Sequence, residues 1–219
     1  MSHIKLAPSL LAANFLNLQQ DITAAQQAGC EYLHFDVMDG VFVGNISFGL
    51  PLLESIKPAV THMVMDCHLM IVKPSQYIEV FANAGADIIT FHIEIAEDIQ
   101  TNIDHIKRLG KKVGLAINPK TDTSLVLPYL SHIDMLTVMT VQAGFGGQKF
   151  MPEVVPNIQL FSDYIKTHNL SVDIQIDGGV NLTTVDSVLT AGANVIVAGS
   201  AIFGAPDIAQ AVTDFRAKF

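Results

Sequence analysis

The chain has 219 residues, a formal net charge of −9, and a composition that is 50% hydrophobic and 15% charged. That apolar supply suits one α/β domain over residues 1–219 with a sizeable core, and it excludes a disordered chain. The acidic balance excludes a basic nucleic-acid footprint, and no run of ~18 apolar residues offers a membrane span.

The opening Met1-Ser2-His3-Ile4-Lys5 is soon followed by Leu-Ala-Pro-Ser, which is too short an apolar run for a signal peptide. Cys30 and Cys67 are the two cysteines. Without an extracellular signal they predict a reduced, cytoplasmic setting and read as small buried hydrophobes.

The first β-like run lies at 6–10. A helix follows at 15–28, with Leu16, Ile22 and Ala25 on its apolar side and Gly29 as its stop. Strands come next at 32–36 and 63–68. A helix at 74–84 opens on Pro74 and stops at Gly85. A strand at 88–92 leads to a helix at 99–109, which stops at Gly110. Strands follow at 112–118, 135–140 and 173–177. A helix at 183–191 stops at Gly192, and the last strand is 195–198.

Ala-Gly punctuates the passage from helix to strand three times, at Ala28-Gly29, Ala84-Gly85 and Ala191-Gly192. Glycine is the usual left-handed residue at a helix C-terminus. Eight β/α units of roughly 27 residues each predict a (β/α)8 TIM barrel. An open doubly wound sheet is the runner-up, and the absence of a nucleotide fingerprint counts against it. In such a barrel the active site lies at the C-terminal ends of the strands. Ser9, His34, Asp36, His68, Asn118, Met139 and Asp177 all fall at or near those ends.

Residues two apart in a strand share a face, so His34 and Asp36 point the same way. Each polar strand end taken alone reads as a satisfied core histidine or a helix cap. Together His34, Asp36, His68 and Asp177 would converge in a barrel mouth read as otherwise apolar, where unpaired charge is costly. A divalent cation removes that cost, and mixed nitrogen and oxygen ligands allow Zn, Fe, Mn or Co. His92 ends a strand and could back this set. His3, His62, His105, His132 and His168 lack such company.

Asp36 and Asp177, on the second and seventh strands, could flank a planar substrate from opposite faces. One would remove a proton next to a carbonyl and the other return one to the opposite face, which is epimerisation. Three glycine-rich turns follow late strands: Gly144-Phe145-Gly146-Gly147, Gly178-Gly179 and Gly199-Ser200. Backbone N–H groups of such turns commonly hold phosphate at this end of a barrel. With net charge −9 and only Lys149 nearby, backbone donors are the sensible holders. Met38, Met70 and Met139 read equally as core filler or as an apolar cap over the reacting atoms.

Six stretches carry a resemblance to a known family. They are Leu6-Ala7-Pro8-Ser9-Leu10-Leu11-Ala12-Ala13, His34-Phe35-Asp36-Val37-Met38-Asp39-Gly40, Asp66-Cys67-His68-Leu69-Met70, Gly144-Phe145-Gly146-Gly147-Gln148, Asp177-Gly178-Gly179-Val180 and Val197-Ala198-Gly199-Ser200-Ala201-Ile202-Phe203-Gly204. On them the chain resembles the ribulose-phosphate 3-epimerase family over essentially its whole length. The resemblance implies a ribulose-phosphate-binding type of TIM barrel that interconverts D-ribulose 5-phosphate and D-xylulose 5-phosphate. It implies one divalent metal ion per subunit on His34, Asp36, His68 and Asp177, with Asp36 and Asp177 as the acid/base pair. It implies substrate contacts from Ser9 and His68, substrate and phosphate loops at Gly144–Gly147, Gly178, Gly179, Gly199 and Ser200, and a homo-oligomer, dimer or hexamer.

Two loops depart from the family pattern. Phe42-Val43-Gly44-Asn45 stands where the family usually has Phe-Val-Pro-Asn, and Gln142-Ala143 stands where it usually has Asn-Pro. Losing proline loosens a loop, so sugar preference stays open. The alternative is a hexulose-phosphate 3-epimerase acting on D-allulose 6-phosphate and D-fructose 6-phosphate. A related decarboxylase would need a Lys where Met38 stands. A sugar-phosphate-binding barrel without turnover would have no need of the intact ligand set.

Overall fold

The computed structural model describes residues 3–95 and 98–219. Eight parallel strands form one sheet: β1 (Lys5–Pro8), β2 (Tyr32–Met38), β3 (Val64–Met70), β4 (Ile88–His92), β5 (Lys112–Ile117), β6 (Met135–Met139), β7 (Asp173–Asp177) and β8 (Val195–Ala198). Each strand pairs with its neighbour in sequence, except that β1 pairs with β8 and the β1–β2 seam is joined outside the named strands. Among the described residues one parallel bridge, Ser9 to His34, joins that seam at its C-terminal end. The predicted (β/α)8 barrel is therefore the observed one, and the open doubly wound sheet is not.

The helical layer comprises α1 (Leu18–Gln27), α2 (Leu50–Ile56), α3 (Ile78–Asn83), α4 (Ile99–Arg108), α5 (Val155–Thr167), α6 (Val185–Thr190) and α7 (Ile208–Arg216). Among the described residues the segment between β5 and β6 forms two short 3-10 turns, Thr123–Leu125 and Leu127–His132, in place of an α-helix. Leu16 is a correction to the sequence reading. It is 92% exposed in the turn before α1 and does not belong to that helix's apolar side, which Ile22 and Ala25 form. Among the described residues no helix is long and apolar enough to cross a membrane.

Strand alternation sorts the core into two. On β2, Leu33, Phe35 and Val37 pack outward with the helices, while Tyr32, His34, Asp36 and Met38 take the alternate, inward positions. On β3, Met65, Cys67 and Leu69 pack outward, so Cys67 points away from the barrel interior as alternation requires. The floor of the interior is apolar: Ala7, Tyr32, Ile88, Met135 and Val195 cluster there. Above it lies a polar layer. His34, Asp66, His68, Thr90, His92, Thr137 and Gln175 are all fully buried. β5 makes room for that layer, because a Cβ at Gly114 would sit 2.0 Å from Thr90 Oγ1.

β2 and β3 run two residues further than their sequence pattern predicts. Their last pair is Met38 opposite Met70, and both methionines are buried. Burial on both sides keeps the ladder going where polar punctuation was expected.

The far end of the barrel is tied by Glu31. Its carboxylate accepts from Leu6 N–H at 2.8 Å and from Arg216 Nη2 at 2.6 and 2.7 Å. Arg216 on α7 also donates to Ile4 O at 2.9 Å and Gly29 O at 2.9 Å. Burial alone would raise the Glu31 carboxyl, but Arg216, Leu6 N–H and His3 outweigh it and hold it below its ordinary 4.5. A carboxyl held low contributes stability that is present above its unfolded value and lost as pH falls through the folded one. Glu31→Gln should therefore destabilise the protein at pH 7 by about 1 kcal/mol. Urea titrations across pH should show that gap closing progressively below the ordinary carboxyl range.

Candidate metal centre and active site

His34 and Asp36 stand two apart on β2, and His68 and Asp177 reach the same point from β3 and β7. One ligating atom from each of the four lies within 4.8 Å of the others. His34 Nε2 is 3.2 Å from Asp36 Oδ1 and 3.7 Å from Asp177 Oδ2. His68 Nδ1 is 3.3 Å from Asp36 Oδ1 and 3.6 Å from Asp177 Oδ2. A tetrahedral ion with ligand bonds of 2.0–2.1 Å has ligand–ligand edges of about 3.3–3.4 Å. The four His–Asp edges, out of six, bracket that value, and all four ligating atoms lie within 4.8 Å of one another, so the residue set is compact enough for a small divalent cation. His68 Nδ1 is also a fully buried nitrogen with no hydrogen-bond partner among the described residues, as a nitrogen kept for a metal would be.

Hydrogen bonds behind the four residues set which atoms face inward. His34 Nδ1 lies 2.7 Å from Asp66 Oδ2, so that nitrogen keeps a hydrogen, and Nε2 is the nitrogen that would offer its lone pair to a cation once its own proton has left. Gln175 Nε2 donates to the same Asp66 oxygen at 2.6 Å, and Thr137 Oγ1 donates to Gln175 Oε1 at 2.7 Å. His68 Nε2 is 2.9 Å from His92 Nε2, and His92 Nδ1 is 2.9 Å from Glu94 Oε2. His92 thus backs the set, as its strand-end position suggested. Asp66, Gln175, Thr137 and Glu94 were not anticipated. For three of them the sequence signal was the same two-residue spacing that links His34 to Asp36: Asp66 precedes His68, Gln175 precedes Asp177, and Glu94 follows His92.

Burial opposes charge on His34, but Asp36 and Asp66 outweigh it and raise its imidazole well above the ordinary range. His68 is raised in the same way, burial being outweighed by Asp177 and Asp36. For Asp36 burial alone would raise the carboxyl, yet His34 and His68 hold it far below the usual carboxylate range. For His92 burial dominates and lowers the imidazole, with His68 adding to it and Glu94 opposing. Glu94 is held low because hydrogen bonds from His92, Thr121 and Asn118 overcome its burial.

A cavity of about 350 Å³ opens above the four residues. Asp36 and Asp177 reach its wall, whereas fully buried His34 and His68 lie behind it. Ser9, Met38, Met70, Met139, Gly144, Phe145, Gly146, Gly147, Gly178, Gly179, Gly199 and Ser200 also line it. Ser9 Oγ donates to Asp36 Oδ2 at 2.7 Å. Met38, Met70 and Met139 pack together with Val43, Val141 and Ala143 as one buried apolar cluster. Among the described residues no lysine or arginine lines the cavity, and Lys149 is exposed outside it.

The glycines let backbone form the wall. Gly178 has φ +120°, and a Cβ there would meet Val141 Cγ2 at 2.4 Å. A Cβ at Gly179, with φ +67°, would meet Phe150 N at 2.5 Å. Only glycine allows both the left-handed conformation and so close an approach. The two loops that carry Gly44 and Gln142-Ala143 touch each other. Asn45 Nδ2 donates to Gly144 O at 3.1 Å, and Gly44 faces the ring of Phe145.

Known proteins share both the sequence and the barrel. A family model described as the ribulose-phosphate 3 epimerase family matches residues 5–203. A Synechocystis protein named ribulose-phosphate 3-epimerase is 43% identical over 98% of this chain and 94% of its own length. A Bacillus subtilis protein of the same name is 41% identical over 97% of this chain and 98% of its own length. A rice relative named as the cytoplasmic isoform of ribulose-phosphate 3-epimerase is 40% identical over 97% of this chain and 92% of its own length. Among solved structures, KGPDC from Streptococcus mutans superposes with a TM-score of 0.73 at 14% identity, covering 99% of this chain and 97% of that one. At that identity the likeness shows the shared barrel fold alone.

A cation on these residues competes with protons for His34 and His68, whose imidazoles are raised by their carboxylate neighbours. Metal affinity should therefore fall with pH, by about tenfold per pH unit for each proton displaced. Calorimetric titration with zinc between pH 8 and pH 6 checks this. Excess metal at ~100 times its dissociation constant should add about 2.7 kcal/mol of stability, read as a higher unfolding midpoint that a chelator abolishes.

Proposed function

The chain belongs to the ribulose-phosphate 3-epimerase family, and we propose that it interconverts D-ribulose 5-phosphate and D-xylulose 5-phosphate by proton transfer at C3. The observation that carries this reading is that Asp36 and Asp177 both reach the cavity while their ligating atoms also fall within one cation-sized cluster with His34 and His68. The name shared by the relatives supports the substrate class. A cytoplasmic setting fits the two free, buried cysteines and the name of the rice relative.

His34, Asp36, His68 and Asp177 would hold the divalent ion, whether Zn, Fe, Mn or Co. Once bound, such an ion supplies Lewis-acid stabilisation of an oxyanion beside the reacting carbon. Asp36 and Asp177 stand three strand steps apart around the barrel, through β1 and β8. One enters as carboxylate and takes the C3 proton, and the C–H electrons pass into an enediolate. The other enters protonated and delivers its proton to the opposite face of C3. The net result is inversion at C3, with one acidic proton still in the site.

Ser9 holds the Asp36 carboxylate by donating to Oδ2, which fixes the orientation of its free lone pair. Met38, Met70 and Met139 present apolar surface to the cavity and exclude water from the enediolate. Gly178, Gly179, Gly199 and Ser200 face the phosphate with backbone, and Gly144 to Gly147 close over the sugar. With no cationic side chain on the wall among the described residues, the phosphate is held by N–H donors.

The test is incubation of the metal-loaded protein in D2O with D-ribulose 5-phosphate, and separately with D-fructose 6-phosphate, followed by NMR. Deuterium at C3 and xylulose 5-phosphate from the first sugar alone is the expected outcome. Turnover of the second alone would assign the site to hexulose phosphates, and exchange with neither would overturn the epimerase reading. Asp36→Asn and Asp177→Asn should each lower turnover by about 10²–10⁴-fold while a phosphate ligand still binds. Near-full activity in either variant would refute the two-base assignment.

A further inference from the structure

His68 Nε2 lies 2.9 Å from His92 Nε2. Two ring nitrogens that close share one hydrogen, and which ring owns it decides what His68 shows the metal site. If His68 Nε2 carries the hydrogen, His68 Nδ1 is a lone pair. If His92 Nε2 carries it, a neutral His68 bears its own hydrogen on Nδ1, aimed between Asp36 and Asp177.

Glu94 decides the matter. Its Oε2 stands 2.9 Å from His92 Nδ1, and a carboxylate oxygen there requires N–H from the ring. A neutral His92 then has its lone pair on Nε2 and accepts from His68 Nε2–H. The other Glu94 oxygen, Oε1, accepts from Asn118 N–H at 2.7 Å and from Thr121 Oγ1 at 2.6 Å. Those two donors lock the carboxylate in place. Asn118 Nδ2 also approaches His92 Nδ1, at 3.3 Å, but the charged and shorter Glu94 contact takes the ring hydrogen. His34 is served directly by Asp66, whereas among the described residues His68 meets His92, and no carboxylate, on its outer nitrogen.

We propose that Glu94, acting through His92, is the positioning residue that sets the tautomer of His68 and thereby the affinity of the site for a divalent cation. This rests on the reading of His34, Asp36, His68 and Asp177 as a metal centre. Residues that orient ligating histidines typically govern metal affinity by 10–100-fold.

Glu94→Gln tests the polarity of the relay. Asn118 N–H and Thr121 would claim the one remaining oxygen, so the amide NH2 would face His92 Nδ1. The relay would reverse, and a hydrogen would point from His68 Nδ1 into the site. Zinc affinity, measured by competition with a chromophoric chelator, should fall about 10–100-fold. The unfolding midpoint of the metal-free protein should hold, and saturating zinc should restore turnover with KM unchanged.

Because Glu94 also anchors Asn118 and Thr121, His92→Leu and His92→Gln give a second readout independent of that anchor. The glutamine can accept from His68 and donate to Glu94, so it should keep zinc affinity within about threefold of wild type. Leucine can do neither and should lose affinity as Glu94→Gln does. Wild-type affinity in a folded Glu94→Gln or His92→Leu protein, or equal losses in the two His92 variants, would overturn the relay. Failure of the wild-type protein itself to bind zinc would overturn the metal-centre reading beneath it.

Discussion

Two carboxylates and two imidazoles are packed where water scarcely reaches, and the upper part of the barrel is organised around that fact. Charged groups out of water are strongly unfavourable unless each is met by a partner. His34 and His68 are fully buried, and Asp36 is 4% exposed. A divalent ion at their meeting point would balance the two carboxylates and give an imidazole nitrogen of each histidine a partner. The layer beneath holds the ligands in register: Asp66 on His34, Gln175 and Thr137 on Asp66, and His92 on His68. The apolar floor of Tyr32, Ile88, Met135 and Val195 then separates this layer from the Glu31–Arg216 tie at the far end.

Much of this was legible in the sequence because a strand has a period of two. The spacing of His34 and Asp36 alone places both on one face, and the strand-end position of His68 and Asp177 brings them to the same mouth. The family resemblance rests on motifs at those same strand ends, and the family match bears it out. What was missed failed for a physical reason. The interior was read as apolar apart from the ligands, yet Asp66, Thr90, Thr137 and Gln175 are buried there. The two-residue spacing from His68 and Asp177 turns Asp66 and Gln175 inward, but it does not say which polar residue each meets across the barrel. Gln175 finds Asp66 at a sequence separation of 109, and no local pattern encodes such a pair. Leu16 failed in the opposite sense, since helical spacing included it before the helix had begun.

The acidic charge of the chain and the bareness of the cavity wall belong together. A protein with net charge −9 cannot rely on its overall field to draw in a phosphate. On the reading proposed above, backbone dipoles gathered by Gly178, Gly179 and Gly199 would act only at contact, which makes recognition short-ranged and geometric. Specificity for the sugar then falls to the neighbouring loops, where Gly44 and Ala143 stand on segments of backbone that touch through Asn45 and Gly144. The chemistry at the floor and the shape at the rim are thus carried by separate parts of the chain.

The seam between β1 and β2 ties these parts to the fold itself. At the mouth it is closed by the Ser9–His34 bridge and by the Ser9 hydroxyl on Asp36, so the upper joint of this seam runs through a candidate metal ligand and a candidate base. Evolution and engineering therefore face a coupled choice here. On the proposed reading, the rim loops lie apart from this seam, whereas a change at the Asp36 carboxylate also reaches the Ser9 hydroxyl that donates to it. Descendants of such a chain would diversify by what they admit, with the reaction inside left unchanged.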